Sequence, residues 1–314
     1  MRYSGSNLGR ALWILLAAAG CLAAQVRFAK DLISIEVDGK PFTVFHYGAE
    51  SGKPYLSPIR SASGKIVTRR FPMETVAGES TDHVHHTGLW FSYDDVNGVQ
   101  FWGNDPSYKR PNGGRIVVRS ADFQQGEHTG TLTAVLEWRG PKNELMMVEN
   151  RKMVFHSDPK LRIIDFEITL TASDDLTFGD TKEGAFAVRL ADALSERKGG
   201  KIVNAEGAGG MAEVWGKRSN WVDDSGEIDG EKLGVAIFDH PQNPRHPTYW
   251  HARDYGLFAL NPFAAHAFDE KQAASHWQLA KGKQMVFRWR VVVHPGDAQD
   301  GRVDALYREY AAGR

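Results

Sequence analysis

Apolar and polar residues alternate along most of the chain with the two-residue period of a β-strand. The clearest run is 162–170, where Ile164, Phe166, Ile168 and Leu170 are separated by polar residues. Such alternation is typical of an antiparallel strand with one face in the core and the other in water. Comparable runs predict strands at residues 33–37, 42–45, 89–93, 99–102, 115–119, 131–138, 145–155, 161–171, 185–190, 234–238, 255–260 and 284–294.

Turn dipeptides separate two pairs of these runs. Asp38-Gly39 follows the first predicted strand, and Asn97-Gly98 precedes the run 99–102. Both dipeptides favour the positive φ angles of tight hairpins. The turn-rich residues 205–232 predict one long excursion from the sheets. A helical period occurs only near the C-terminus, where a single apolar face is formed by Val303, Leu306, Tyr307 and Tyr310.

These elements predict an all-β fold, a large two-sheet antiparallel β-sandwich with a short C-terminal helix. Neither an internal repeat nor a Pro/Ser-rich linker divides residues 25–314, so we predict one domain there. The 314-residue chain is 42% hydrophobic and 25% charged, which is enough apolar material for a sizeable core and excludes global disorder.

Residues 1–24 have the layout of a secretory signal peptide. Arg2 and Arg10 precede an apolar run that ends in small residues near Ala24, where we predict cleavage. The run is shorter than the roughly 20 apolar residues of a membrane span. The sequence therefore predicts export to the periplasm or the outside, with lipid attachment at Cys21 as an alternative.

Removing this segment changes the charge and the cysteine content. Without its two arginines the formal net charge of −1 becomes −3, and Cys21 is the only cysteine in the chain. The chain has no basic surplus, so a nucleic-acid partner is not expected. Neither disulfides nor cysteine chemistry are expected after cleavage, and no later segment is apolar enough to predict a membrane span.

The histidines are concentrated in two parts of the chain. Eight of the 12 lie within residues 83–86 and 240–276. On a strand, His83 and His85 would point to the same face and could begin a Zn, Fe or Cu site. The candidates for a third ligand of such a divalent metal are His251, His240 and Glu183. The same rings could instead bond to loop backbone or line a polar cleft without metal.

Two further segments carry candidate chemistry. Residues 179–186 place Asp, Lys and Glu within four positions before a predicted strand, which makes Glu183 a candidate general acid or base. Three prolines stiffen residues 240–247, and a rigid loop of this kind suits a preorganised site. An ordinary turn and a rigid surface loop, respectively, are the alternatives.

These blocks together resemble the bacterial PmoA-like family, also called methane oxygenase PmoA, whose activity is largely unknown. The resemblance covers most of the chain after the predicted signal peptide. It rests on residues 53–55 with 58–60, on residues 82–90, 181–184 and 219–222, and on the segment from 239–241 through 261–263. The family is similar in layout to sugar-binding sandwiches of the galactose-mutarotase kind, so the resemblance implies a mutarotase-like supersandwich.

The sequence as a whole predicts an exported carbohydrate-active protein with a small-molecule or oligosaccharide substrate. We expect His/Glu acid–base chemistry of the epimerase, lyase or hydrolase type. The predicted catalytic residues are His83, His85, Glu183, His240 and His251. The predicted substrate-binding residues are Arg60, His86, Trp90, Lys182, Trp250, Arg253 and Asn261. The alternatives are a metal-dependent oxygenase or hydrolase, with His83, His85 and His251 as ligands, and a non-catalytic glycan-binding protein.

Overall fold

A computed structural model describes residues 24–105 and 110–313. The predicted signal peptide, apart from Ala24, lies outside the described residues, as does Cys21. Within the described residues, the strands form two eight-stranded sheets and one two-stranded ribbon, and all paired strands are antiparallel.

The first sheet has the order β1-β2-β3-β4-β5-β11-β16-β15. Its strands are β1 (Ala24–Ala29), β2 (Leu32–Val37), β3 (Lys40–His46), β4 (Tyr55–Leu56), β5 (Leu89–Tyr93), β11 (Gly184–Arg189), β15 (Tyr249–Arg253) and β16 (Leu257–Asn261). The second sheet has the order β12-β13-β14-β18-β9-β8-β7-β6. Its strands are β6 (Arg115–Gln125), β7 (Thr129–Arg139), β8 (Leu145–His156), β9 (Arg162–Ala172), β12 (Lys201–Asn204), β13 (Trp221–Ile228), β14 (Glu231–Asp239) and β18 (Gln284–Pro295).

The remaining elements are short. The ribbon pairs β10 (Leu176–Phe178) with β17 (Trp277–Leu279). The helices are α1 (Met211–Val214) and α2 (Val303–Ala311), and 3-10 turns lie at Ala49–Ser51, Asp192–Leu194 and Glu196–Lys198. No helix among the described residues has the length and apolar character needed to cross a membrane.

The alternating pattern gives the two-sheet sandwich that the sequence predicts. In β9 the residues Ile164, Phe166, Ile168 and Leu170 are buried, and the polar residues between them are more exposed. They share one core with apolar residues of the first sheet, among them Phe91 and Phe186. The Asp38-Gly39 hairpin is also confirmed, with φ angles of 53° and 70°. The predicted C-terminal helix is α2, which packs Val303, Tyr307 and Tyr310 against Phe238 and other residues of the second sheet.

Four local predictions were wrong. Residues 99–102 do not form a strand, because the sheet partners of β5 are β4 and β11; within the described residues they form two isolated bridges, Val99 with Val96 and Gln100 with Gly113. Residues 205–232 are not one excursion, since they contain α1 and β13. Tyr255 lies in the turn between β15 and β16 rather than in a strand. Residues 82–86 form a turn in which His83 has a φ of 44°.

The centre of the first sheet is covered on both faces. Every residue of β5 and β11 is buried. Phe91 and Val188 face the sandwich core, whereas Trp90 and Ala187 belong to a separate cluster on the opposite face, together with Trp102. Loops around residues 82–88 and 102–105 therefore lie over the outer face of this sheet, and the candidate site is built there.

Candidate functional site

A cleft of about 300 Å³ opens over the outer face of the first sheet. Strands β5, β11 and β15 or the loops beside them supply its walls. The lining residues are His83, His85, His86, Asp94, Trp102, Gly103, Arg110, Lys182, Glu183, His251, Arg253 and Tyr255. Seven residues that the sequence singles out meet here, namely His83, His85, His86, Lys182, Glu183, His251 and Arg253.

Buried arginines hold the histidine turn in place. Arg69 is fully buried and donates to the Asp82 carboxylate at 2.6 Å and to the carbonyl oxygens of Asp82, His83 and His86 at 2.7, 2.9 and 3.2 Å. Arg189 is also fully buried and donates to the same Asp82 oxygen at 2.7 Å. Burial raises the pKa of Asp82, but Arg189, His83 and Arg69 together bring it below its ordinary value.

A buried lysine supports the turn from below. The Lys53 ammonium donates to the carbonyl oxygens of His85 and Trp102 at 3.0 and 2.8 Å and to Asn104 Oδ1 at 3.2 Å. Burial lowers the pKa of Lys53 to about 7, although Asp105 acts in the opposite direction. Removing Arg69 or Lys53 would leave carbonyl oxygens of this turn without their side-chain donors, which is costly where they are buried.

Four aromatic rings form a column from the cleft towards the sheet. Tyr255 stacks on His83 at 5.1 Å between ring centres, His83 on His86 at 4.8 Å, and His86 on Trp90 at 5.4 Å. Burial is the main reason that the pKa of His86 lies well below its usual range. Burial, with a contribution from Lys53, lowers the pKa of His85 to about 3. His85 and His86 are therefore neutral imidazoles at pH 7.

His251 lies on β15 with its ring turned into the cleft. Its Nδ1 is 3.1 Å from the carbonyl oxygen of Lys182. A carbonyl oxygen only accepts hydrogen bonds, so Nδ1 carries the proton in the neutral ring and Nε2 carries the lone pair. Burial lowers the pKa of His251 to about 4, whereas Glu183 raises it. Above that pH the ring is an unprotonated base.

Two carboxylates share the cleft with His251. The backbone N–H of Asp94 donates to the Glu183 carbonyl oxygen at 3.0 Å, which brings the two residues together. Burial, followed by the charge of Glu183, raises the pKa of Asp94 to about 6. Glu183 Oε1 pairs with Lys182 Nζ at 3.0 Å. A protonated Asp94 and an unprotonated His251 therefore form an acid and a base in one pocket.

The histidines do not meet as metal ligands. Across residues 24–105 and 110–313, no three His, Cys, Asp or Glu side chains are arranged to hold a metal ion. The rings of His83 and His85 lie 5.9 Å apart at 71°, and His83 stacks flat between His86 and Tyr255. Stacked rings direct their nitrogen lone pairs sideways rather than towards one another. The arrangement of His83, His85 and His251 therefore does not fit the three ligands of one metal ion.

The prediction of Trp90 and Trp250 as substrate-binding residues is corrected. Trp90 is 1% exposed and lies beneath His86, so it supports the cleft rather than lining it. Trp250 is fully buried in the sandwich core and donates to the Ser219 carbonyl oxygen at 2.9 Å. Neighbouring residues of a strand point to opposite faces, so Trp250 faces inwards because His251 faces the cleft.

Arg60, Asn261 and His240 also lie elsewhere. Arg60 donates to the Gly64 carbonyl oxygen within its own turn. Asn261 is fully buried, donates to the Thr181 carbonyl oxygen at 2.8 Å and accepts from the N–H groups of residues 263 and 264, so it positions the cleft wall. His240 lines a different depression, on the second sheet, against Tyr310.

Besides Trp102 and Gly103, three further cleft residues lie outside the predicted set. Asp94 follows the apolar strand β5, and Arg110 lies 4.0 Å from its carboxylate. Tyr255 occupies the β15–β16 turn and receives the Arg189 guanidinium over its ring at 4.6 Å. The only sequence signal for Asp94 is a carboxylate directly after a buried strand. For Arg110 and Tyr255, the sequence gives no signal that distinguishes them from ordinary turn residues.

Comparison with protein families gives one match. The model of a family of unknown function, DUF6807, matches residues 32–308. No curated protein matches the chain significantly.

Several solved structures share parts of the fold. The GH36 α-galactosidase AgaB from Geobacillus stearothermophilus is 11% identical with a TM-score of 0.43, over 88% of this chain and 41% of the other. A galactose mutarotase-like protein from Clostridium acetobutylicum is 8% identical with a TM-score of 0.39, over 87% of this chain and 99% of the other. A glycoside hydrolase family 97 enzyme from Pseudoalteromonas sp. strain K8, in complex with acarbose, is 8% identical with a TM-score of 0.36, over 87% and 34%. The chain spans about two fifths of the α-galactosidase chains it matches.

Proposed function

The chain belongs to the DUF6807 family, and from this premise we propose that it is an exported enzyme that converts a sugar or sugar derivative by acid–base catalysis. One observation carries the proposal. His251 and Asp94 line the same cleft, and their surroundings shift their pKa values to about 4 and about 6. At a pH between about 4 and about 6, His251 is therefore unprotonated and Asp94 is protonated.

Each group has a defined role in this mechanism. Nε2 of His251 removes a proton from a sugar carbon or hydroxyl, and the Nδ1–H bond to the Lys182 carbonyl fixes the ring while it does so. Asp94 donates a proton to the ring oxygen, carbonyl oxygen or departing hydroxyl. Burial, followed by the like charge of Glu183, keeps Asp94 protonated up to about pH 6, and Glu183 is itself paired with Lys182.

The cleft also suits a sugar in size and lining. A volume of about 300 Å³ accommodates one or two rings, and its walls combine the aromatic Trp102 and Tyr255 with several hydrogen-bonding groups. Proton transfer on a sugar covers epimerisation, ring opening and elimination. Export is proposed on the signal-like pattern of residues 1–24.

A screen in D₂O tests this proposal. The mature protein is incubated with a panel of neutral and acidic mono- and disaccharides, and ¹H NMR follows anomer exchange, deuterium incorporation, epimers and unsaturated products. The proposal requires enzyme-dependent change in at least one sugar, and that change must disappear in an H251Q/D94N double variant. Binding without any conversion would instead identify a glycan-binding protein, and activity that survives the double variant would refute the assigned acid and base.

A further inference from the structure

The charged side chains of the cleft are unequally paired. Each of the two lining carboxylates has its own cation. Lys182 Nζ lies 3.0 Å from Glu183, and Arg110 Nη1 lies 4.0 Å from Asp94. The third lining cation is Arg253, which neither carboxylate pairs with.

Arg253 lies in the cleft wall, and no ion pair joins it to a carboxylate of residues 24–105 or 110–313. It follows His251 by two positions on β15, so both side chains point to the same face of the sheet. Its guanidinium carbon lies 5.7 Å from the Tyr255 ring centre. Its Nε is buried and donates no hydrogen bond to another described residue. A partly buried guanidinium in this state is destabilising unless a ligand supplies the acceptors.

Cations also outnumber carboxylates in the cleft lining, since Arg110, Lys182 and Arg253 accompany Asp94 and Glu183. After burial, the largest cause of the lowered His85 pKa is the charge of Lys53. At His251, whose pKa is lowered mainly by burial, the charge of Glu183 raises the pKa and those of Arg253 and Lys182 lower it. The imidazoles themselves are neutral at pH 7. An anionic group entering the cleft would therefore be attracted rather than repelled.

We propose that the substrate is a sugar acid whose carboxylate binds Arg253. The planar guanidinium matches a carboxylate with two parallel N–H···O bonds, and one of them would satisfy the buried Nε. This inference rests on the proposed function and narrows its substrate class from sugars in general to carboxylated sugars such as hexuronates. The sugar ring would then lie between Arg253 and His251 on the same face of β15.

Matched sugar pairs test the inference. Saturation-transfer NMR titrations compare D-glucuronate with D-glucose, and D-galacturonate with D-galactose, on the wild-type mature protein. We expect at least one acid to bind about tenfold or more tightly than its neutral partner, a preference typical of one well-placed charge-assisted bond. Equal affinity within every pair that binds would overturn the proposal, as would a preference for the neutral sugars.

Variants then locate the effect. Arg253→Gln is expected to abolish the preference for the acid, and Arg253→Lys, which keeps the charge but not the planar fork, to reduce it severalfold. Arg197→Gln is the matched control, because Arg197 also lies over Tyr255, at 5.3 Å, but pairs with Asp254 and does not line the cleft. If Arg253→Gln does not fold, Arg253→Lys carries the test. A preference that survives in the folded Arg253 variants, or that Arg197→Gln removes equally, contradicts the proposal.

The outcomes separate the two proposals. Failure of every sugar, neutral or acidic, to bind or react counts against the proposed function itself. If neutral sugars bind and are converted, and a carboxylate does not increase the affinity, the proposed function stands and only the role given to Arg253 is refuted.

Discussion

The Nδ1 atom of His251 lies 3.1 Å from the carbonyl oxygen of Lys182, the residue that precedes Glu183 in the chain. This contact links strand β15 to the entrance of β11 and turns the Nε2 lone pair of His251 to the cleft. The orientation of the base and the position of its proton therefore depend on this one contact between a side chain and the backbone.

The first prediction concerns the pH dependence of turnover. His251 must be unprotonated, which holds above its pKa of about 4, and Asp94 must be protonated, which holds below its pKa of about 6. The kcat/KM of the free enzyme should therefore be bell-shaped with its maximum near pH 5. A profile from pH 3 to 8 on any converted sugar checks this. An activity that keeps rising beyond pH 7 is incompatible with this assignment.

Substitution of Asp94 tests the acid separately. Asp94→Asn removes the transferable proton but keeps the side-chain volume, so we expect kcat/KM to fall by roughly 100-fold or more. The residual activity should no longer decrease above pH 6. Asp122→Asn, at an exposed position on β6, is the control for loss of one carboxylate and should behave as wild type. A variant with more than a tenth of wild-type activity would exclude Asp94 as the acid.

The support of the histidine turn has a stability signature. Arg69→Met removes one of the two arginines that pair with Asp82 and leaves the carbonyl oxygens of Asp82 and His86 without their side-chain donor. Each buried acceptor that loses its only donor costs about 1–3 kcal/mol. Urea unfolding measures the change. Arg119→Met, which breaks the exposed pair with Glu137, should shift the midpoint far less. Similar midpoints for the two variants would show that Arg69 does not support the turn.

A second stability prediction follows from Asp180. Its carboxylate accepts the backbone N–H groups of Ala265, His266, Ala267 and Ser275. Partial burial acts to raise the pKa of Asp180, but the hydrogen bonds from these four N–H groups lower it by more. The pKa of Asp180 in the folded state therefore lies below the ordinary value. This stabilisation is complete above the unfolded-state pKa and is lost as the pH falls through the folded-state pKa.

Asp180→Asn should therefore lower the free energy of unfolding at pH 7 by about 2 kcal/mol, because the amide offers one acceptor oxygen instead of two. The difference from wild type should shrink as the pH is lowered towards 3. Denaturant unfolding at both pH values measures it. A difference that is constant with pH would mean that the carboxylate charge contributes nothing to holding this loop.

The sequence predicts the fold better than the site. Alternation in runs such as β9 is enough to predict strands with one buried face, since that period follows directly from strand geometry. Five residues stand out by side-chain type alone and do line the cleft, namely His83, His85, His86, Lys182 and Glu183. Their conformation differs from the predicted strand. His83 and His85 both line the cleft because the chain turns at these residues, not because they alternate along a strand.

The rest of the site depends on long-range pairing that no local pattern encodes. Asp94 becomes a cleft residue only because β5 pairs with β11 and brings its backbone to Glu183. Trp250 and His251 are adjacent, and which of them faces the core is decided by the register of β15 against β16. His240 is close in sequence to His251, but it ends up on the second sheet because β14 belongs to that sheet.

The most direct test of the role proposed for His251 is the rate of sugar conversion by two histidine variants, measured side by side. His251→Gln removes the base from the cleft, and His240→Gln removes a histidine from the depression on the other sheet. If His251 is the base, kcat falls at least about 100-fold in the first variant and stays at the wild-type level in the second, while both proteins remain folded. Wild-type turnover by His251→Gln, or equal loss in both variants, would contradict it.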